Sequence, residues 1–544
     1  MGYDDEPAIA RLNRWLSRKA KPTSRSLLVI LFFFLATYFS ETSLAGRHPT
    51  GLLPNNAKYF WAPGQSFRGG IPRRPVSSTV TSIASLQSAL DNAPAGTAVV
   101  LAAGTYTTGS TITVPTNVSL RGAGANSTTI TYTGIGPAIW AGVGEVWHPR
   151  VNVTAGSTQG SKSITVESAS GINVGDLIVI SQLNPSYVAP GGDEGLLSWA
   201  GAPAVNGRGN DTTRDMEQVD KVTAISGNTL TLQRPLYISY TNQPVINSMT
   251  PTVQPGVESL TIRGSANAPN ESVFIHFDGV DGGFVINCHT ISISGGSCFA
   301  HMLVENSYAC EFRRNYLHGS GINPSGSNYG IYFINNSSEC LAEDNIGNTL
   351  RHSWIHAAGD SGNVFSYNYS FGNIQSDSGT GWLAEDDAHH GAESFMNLHE
   401  GNVVDQASCD TTHGGDAFNV FFRENPIVFS SSTPNATGNI VGISLGRYSY
   451  HDNVIGCVFG DPGVSITNHY SALIDSGSGD FIEGNYDLIG AGPIGETVVL
   501  PASLFYNGRP PWWPTKIPWP IIGPDLSPMN GMIPAEVRYH SGKY

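Results

Sequence analysis

Short apolar stretches that close on asparagine recur through the second half of the chain. They are FVIN (284–287), CEFRRN (310–315), CLAEDN (340–345), NVFSYN (363–368), NLHEGN (397–402), VFFREN (420–425), YSYHDN (448–453) and DFIEGN (480–485). The closing asparagines lie 28, 30, 23, 34, 23, 28 and 32 residues apart, so the longer gaps read as 23 plus a loop. An earlier strand, LTIRG (260–264), puts Gly264 another 23 residues before Asn287. A fixed period of this size marks a solenoid whose turns each hold three short strands and three bends. A β-sandwich predicts no such period. Stacked turns bring parallel strands to about 4.8 Å. Asparagine at a bend tolerates a left-handed backbone and bonds to the asparagine of the next turn. The pattern therefore predicts an all-β, right-handed parallel β-helix, with Asn345, Asn368, Asn402, Asn425 and Asn453 in one line.

Two regions break the period. Within 148–252, GSKSITVESASGINVGDLIVIS and DKVTAISGNTLTLQRPL alternate apolar and polar positions around Gly and Asn turns, which predicts a small inserted antiparallel β module with a long polar loop at 183–219. At the other end, NGRPPWWPTKIPWPIIGPDLSP (507–528) is too rich in proline for regular structure. It should lie as an extended tail with its tryptophans packed on the solenoid.

Residues 82–131, SIASLQSALDNAPAGTAVVLAAGTYTTGSTITVPTNVSLRGAGANSTTIT, resemble the opening of right-handed parallel β-helix proteins of the pectate-lyase/pectin-lyase-like superfamily. The resemblance implies that a short amphipathic helix, here SLQSALDNA, caps the first coils, AVVLAAGTY and NVSLRGAG. Such a cap covers an edge that would otherwise template aggregation. It is specific for fold and not for chemistry, because one scaffold of this kind carries lyases, hydrolases, epimerases and adhesins. The expected organisation is 1–45 signal peptide, 46–75 linker, 76–147 cap and first coils, 148–252 inserted module, 253–500 main β-helix and 501–544 Pro/Trp-rich tail.

Composition changes the picture at three points. A basic lead (Arg11 to Arg25), the apolar run LLVILFFFLATYF (27–39) and the small residues SLAG (43–46) read as a cleaved secretory signal, with secreted or cell-surface localisation and no stable membrane insertion afterwards. The remainder carries 22 basic and 39 acidic residues, a net charge of −17, which argues against nucleic acid as a partner. A polyuronate would also be repelled unless a divalent cation bridges the two. Six cysteines (288, 298, 310, 340, 409 and 457) fit no zinc spacing, and Cys310 and Cys340 read best as small core residues. Nine Asn-x-Ser/Thr sequons, among them those at Asn336 and Asn368, allow a glycoprotein.

The candidate chemistry sits in a phrase written twice, DAHHGAE (387–393) and DTTHGGD (410–416), with start points 23 residues apart. If 23 is one coil, Asp387 lies over Asp410, His390 over His413 and Glu393 over Asp416, and His356 extends the histidine column. Stacked carboxylates need a proton, a cation or an Arg between them. His356, His390, His413, Asp387 and Asp410 could together hold a divalent cation, calcium or a transition metal. The catalytic candidates are His390, His413, Asp387, Asp410, Glu393, Asp416 and Arg423, flanked by the loop at 374–387. A second column, two residues before each closing asparagine, sets Arg313 against Glu343 and Glu400 against Arg423.

Two functions follow. One is a carbohydrate-active enzyme on an extracellular polysaccharide. As a lyase it would have to use Arg351, Arg423 or a column histidine as base, because no lysine lies between Lys221 and Lys516. As a hydrolase it would draw two carboxylates from Asp386, Asp387, Glu393, Asp410 and Asp416. The other is a non-catalytic surface protein, an adhesin or fibre subunit, for which self-association is an open expectation. If the column is structural, the site is to be sought first around Arg351 and Arg447.

Overall fold

The computed structural model describes residues 52–54, 60–183, 214, 216–265, 272–293, 298–320, 323, 326–375, 381–391, 393–410, 414–463, 470–477, 479–490 and 492–544, with a short strand pair at 198–199 and 202–203. The signal segment, most of the 183–219 loop and His413 lie outside the described residues. No described helix is long and apolar enough to cross a membrane.

Three long parallel sheets of twelve, nine and ten strands form the body, and the chain visits them in turn, coil after coil. The protein is a parallel β-helix. Helix Ile83–Asp91 covers its first coils: Ser82 caps it by accepting from the Ala84 amide, and Leu86 and Leu90 go into the core beside Val99, Leu101 and Ile112. Each of these two leucines is worth about 2 kcal/mol of burial. Strand Val118–Gly122 pairs directly with Gly256–Glu258, and Pro137–Gly142 with Val273–Asp278, so the coils stack across the intervening segment without a gap. That segment forms a closed antiparallel barrel, from Val151–Ala155 to Val245–Met249.

The asparagine line is real, but it is not the line that the closing asparagines spell. Asn315, Asn345, Asn368 and Asn402 are joined by amide-to-carbonyl bonds of 3.0 Å, and each carbonyl also accepts the backbone N–H of the residue before it in the line. The next place is held by Glu424, not Asn425, and then by Cys457, not Asn453, before Asn485 resumes. Asn453 instead sits inside a strand, opposite Val420. The left-handed residue is the one before the ladder: Asn287, Arg314, Asp344, Tyr367, Gly401, Arg423, Gly456 and Gly484 all have φ between 52° and 69°. A second ladder, five residues earlier, runs Cys340, Asn363, Asn397, Asn419, Asp452 and Asp480.

The tail from Pro501 packs against the solenoid. Trp513 is buried, the Trp512 indole donates to Glu343, and Trp519 donates to the Tyr367 hydroxyl. A final helix, Pro534–His540, brings Arg538 onto Asp344. All six cysteines are buried free thiols. Two sequon asparagines, Asn336 and Asn368, are also buried in hydrogen bonds, so the folded chain does not present them to a glycosyl transferase.

Candidate functional site

The repeated phrase does not stack on itself. Asp387 pairs with Ala407 and His389 with Cys409, a step of 20 residues, which sets His390 level with Asp410. One bend later Ser394 pairs with Asp416, a step of 22. The step here is 20 residues and not 23, so the second copy of the phrase begins three places further along its coil. Three expected pairings therefore fail: Asp387 is not over Asp410, Glu393 is not over Asp416, and His356 lies under His389 rather than His390. His413 lies outside the described residues.

Strand alternation then divides the candidates between two places. Asp387 and His389 point into the lumen while Ala388 faces out, and His356 points in while Ile355 faces out. Asp416 is also interior, 3.8 Å from His389. These groups form an enclosed network. The His399 Nδ1 meets Asp387 at 2.6 Å, the His389 Nδ1 meets the Ser394 hydroxyl at 3.1 Å, and His356 meets Asp360. Burial pushes Asp360 and Asp387 up and holds His356 and His389 well below the usual imidazole range.

His390 and Asp410 stay outside and meet each other. The His390 Nδ1 is hydrogen-bonded to the Asp410 carboxylate, whose side chain is 24% exposed against 9% for His390. His352 lies beside them, its ring 5.3 Å from that of His390, and Tyr329 stacks on His352 at 5.6 Å. Arg351 lies beside Tyr329, near enough for its charge to act on the phenol. The His352 Nδ1 donates to the Glu385 carbonyl at 2.8 Å, which leaves its Nε2 as a buried lone pair without a hydrogen-bond partner. Burial, then the neighbouring His390 and Arg351, hold His352 well below the usual imidazole range. Burial also raises Tyr329, with Arg351 drawing it back, and lifts the Glu385 carboxyl, which Asn439 holds at 2.7 Å. The 374–387 segment thus borders this cluster through Glu385; its residues 376–380 lie outside the described ones.

Two other expectations are corrected. Arg423 is far from this chemistry: it makes a two-pronged pair with Asp525 at 2.8 Å and donates to the Pro501 and Ile522 carbonyls, which fastens the tail. Glu400 accepts from Tyr367 and from the Leu504 amide. Arg313 does pair with Glu343. Glu393, with φ 55°, lines a separate small cleft with Tyr448 and His451. Tyr329, His352 and Glu385 were missed in the sequence. Their only signal was adjacency to Arg351 and to the acidic loop, because nothing local tells which coil a tyrosine joins.

The arrangement can orient one imidazole by a carboxylate, offer a second neutral imidazole, and set a guanidinium beside a phenol. No protein-family model matches the chain, and no curated protein matches it. Among solved structures it is similar to a tailspike protein of Pseudomonas phage LKA1, at 15% identity and a TM-score of 0.42, covering 74% of this chain and 72% of that one. It is also similar to the A-module of a mannuronan C-5 epimerase of Azotobacter vinelandii, at 13% identity and a TM-score of 0.30, covering 80% and 99%. A tailspike of Acinetobacter baumannii bacteriophage AP22, solved with a capsular saccharide, gives 10% and 0.34, covering 78% and 76%. Likeness at this level carries no argument about activity, and the β-helix is established by the chain's own three sheets.

Proposed function

We propose that the protein is a polysaccharide-acting β-helix protein, exported from the cell, and that the cluster of Arg351, Tyr329, His352, His390 and Asp410 performs β-elimination on a uronate-containing chain. The observation that supports this most is the Asp410–His390 pair set beside Arg351 and Tyr329. In such a reaction Arg351 neutralises the uronate carboxylate, which acidifies the neighbouring carbon–hydrogen bond. His390 is oriented by Asp410 through Nδ1, so its Nε2 takes that proton. The electron pair forms the new double bond, the glycosidic carbon–oxygen bond breaks, and the Tyr329 hydroxyl returns a proton to the leaving oxygen. Arg351 also answers the charge problem of a net-negative protein acting on a polyanion.

A second reading, glycoside hydrolysis, is favoured by one observation. Glu385, raised by burial, lies close enough to Asp410 for the Asp410 charge to raise it further. A raised carboxyl beside an ionised one is the acid–base division that hydrolysis needs. The products separate the two. Elimination yields an unsaturated uronate that absorbs in the ultraviolet, whereas hydrolysis yields reducing ends without that absorbance. Full-length protein on a panel of polyuronates and neutral polysaccharides is expected to give the ultraviolet signal on a polyuronate. Reducing ends alone would move the assignment to Glu385 and Asp410, and binding without cleavage of any polymer would make the protein an adhesin-like binder.

A further inference from the structure

The lumen holds a group of imidazoles that the proposed surface chemistry does not use. His356 and His389 lie on adjacent strands of one sheet, one coil apart, and His399 lies on a second sheet; their ligand atoms are within 4.8 Å of one another. All three are buried. Aromatic rings close the lumen on either side: Phe333 stacks on Phe365 at 4.8 Å below them, and Phe421 stacks on His399 at 4.8 Å above. Three buried imidazoles are costly unless every polar atom is matched.

The proton positions follow from the partners. The Ser394 hydroxyl gives its hydrogen to Asp360 at 2.6 Å, so toward His389 it can only accept, and the His389 Nδ1 carries a hydrogen. The His399 Nδ1 meets Asp387 and the His356 Nδ1 meets Asp360, oxygens to which each ring would give its Nδ1 hydrogen when its Nε2 binds a cation. In that arrangement each ring turns its Nε2 toward the other two. Two of these, on His389 and His399, face each other at 2.8 Å, and the third, on His356, has no hydrogen-bond partner. A proton between the first two atoms would leave the third alone.

A single cation satisfies all three atoms at once. We propose that His356, His389 and His399 form a transition-metal site of the zinc class, enclosed in the lumen of the β-helix. Oxygen acceptors on each Nδ1–H are the supports that metal-binding histidines use to fix tautomer and ring direction. Imidazole ligands select zinc, copper, iron or nickel over calcium. Zinc bonds to nitrogen of about 2.0–2.1 Å would open the His389–His399 pair by roughly half an ångström. The carboxylates of Asp360 and Asp387, one bond further out, offset the charge. Because the site is closed, the metal enters as the coils fold and stabilises the folded chain.

The test is the metal content of the full-length protein, purified from zinc-supplemented medium and dialysed against a chelator. About one metal ion per chain is expected. The His389→Gln/His399→Gln variant should hold none, while His451→Ala, elsewhere on the solenoid, should keep it. Should the double variant fail to fold, X-ray absorption of the unaltered protein decides, with three imidazole nitrogens expected about the metal. The proposal is overturned by protein free of zinc, cobalt, nickel, copper and iron whose melting temperature does not change after refolding with Zn2+ or Co2+. It is equally overturned by a metal lacking imidazole ligands, or by one that the folded double variant retains.

Discussion

His390 and His389 are neighbours in sequence, yet they serve opposite sides of a sheet, and this single change of side separates the surface chemistry from the interior. His390 bonds to the part-exposed Asp410, whereas His389 is locked among Ser394, His399 and Asp416. His390→Ala should lower turnover on the cleaved polymer by about 10²–10⁴-fold, with the melting temperature nearly unchanged. Asp410→Asn should follow it, because the amide can no longer hold Nδ1–H as a carboxylate does. Arg423→Ala should do the reverse and leave turnover alone while lowering the melting temperature, since it frees the tail held through Asp525. Enzyme assays beside thermal melts check both. Sequence alone marked His390 and Asp410 through the repeated acid–histidine–glycine phrase, and Arg351 through the lack of lysine between Lys221 and Lys516. It could not pair them, because pairing depends on whether a coil holds 20, 22 or 23 residues, and bend lengths leave no local trace.

Strands of three residues would be poor elements alone; the ladders at their ends make them hold. Asn368 shows how. Its amide donates to the Ala342 carbonyl and to Asn402, and its carbonyl accepts from the Asn345 backbone and side chain. Asn368→Ala strips partners from several buried groups, each costing about 1–3 kcal/mol. A loss of at least about 3 kcal/mol in denaturant unfolding is expected, and Asn368→Asp should be milder because one half of the pattern survives. The first ladder was legible for Asn315, Asn345, Asn368 and Asn402. It was misread where Glu424 and Cys457 take the place, because a carboxylic acid and a thiol fill the position without looking like asparagine. The second ladder could have been found: asparagine opens as well as closes NVFSYN and NLHEGN, at a constant interval of five.

Across the whole molecule, acidic groups are buried in large number, and this sets the response to pH. Burial pushes Asp220, Glu311 and Glu400 up to about 7. Below the ordinary carboxylate range both the folded and unfolded chains hold these protons. Between that range and about 7 the folded chain keeps protons that the unfolded one has released, so stability falls as pH rises. His301, pushed down to about 3, acts oppositely, but only up to the ordinary imidazole range near 6.5. The melting temperature should therefore decline from mildly acidic to mildly alkaline pH, and Glu400→Gln should flatten part of that decline. The β-helix itself was legible in the period, the cap and the breaks at 148–252 and 501–544. The closed barrel was legible only as antiparallel strands, since closure depends on contacts between segments nearly a hundred residues apart.

The central claim is that Arg351, His390 and Asp410 make one eliminating site on the outside of the coils. The most direct measurement is ultraviolet absorbance during digestion of a polyuronate by the full-length protein, its Arg351→Ala variant and its His390→Ala variant, all three confirmed folded by circular dichroism. The account predicts a steady rise for the unaltered protein and none for either variant. A rise that persists in both folded variants would contradict it, as would cleavage that releases reducing ends with no absorbance at all.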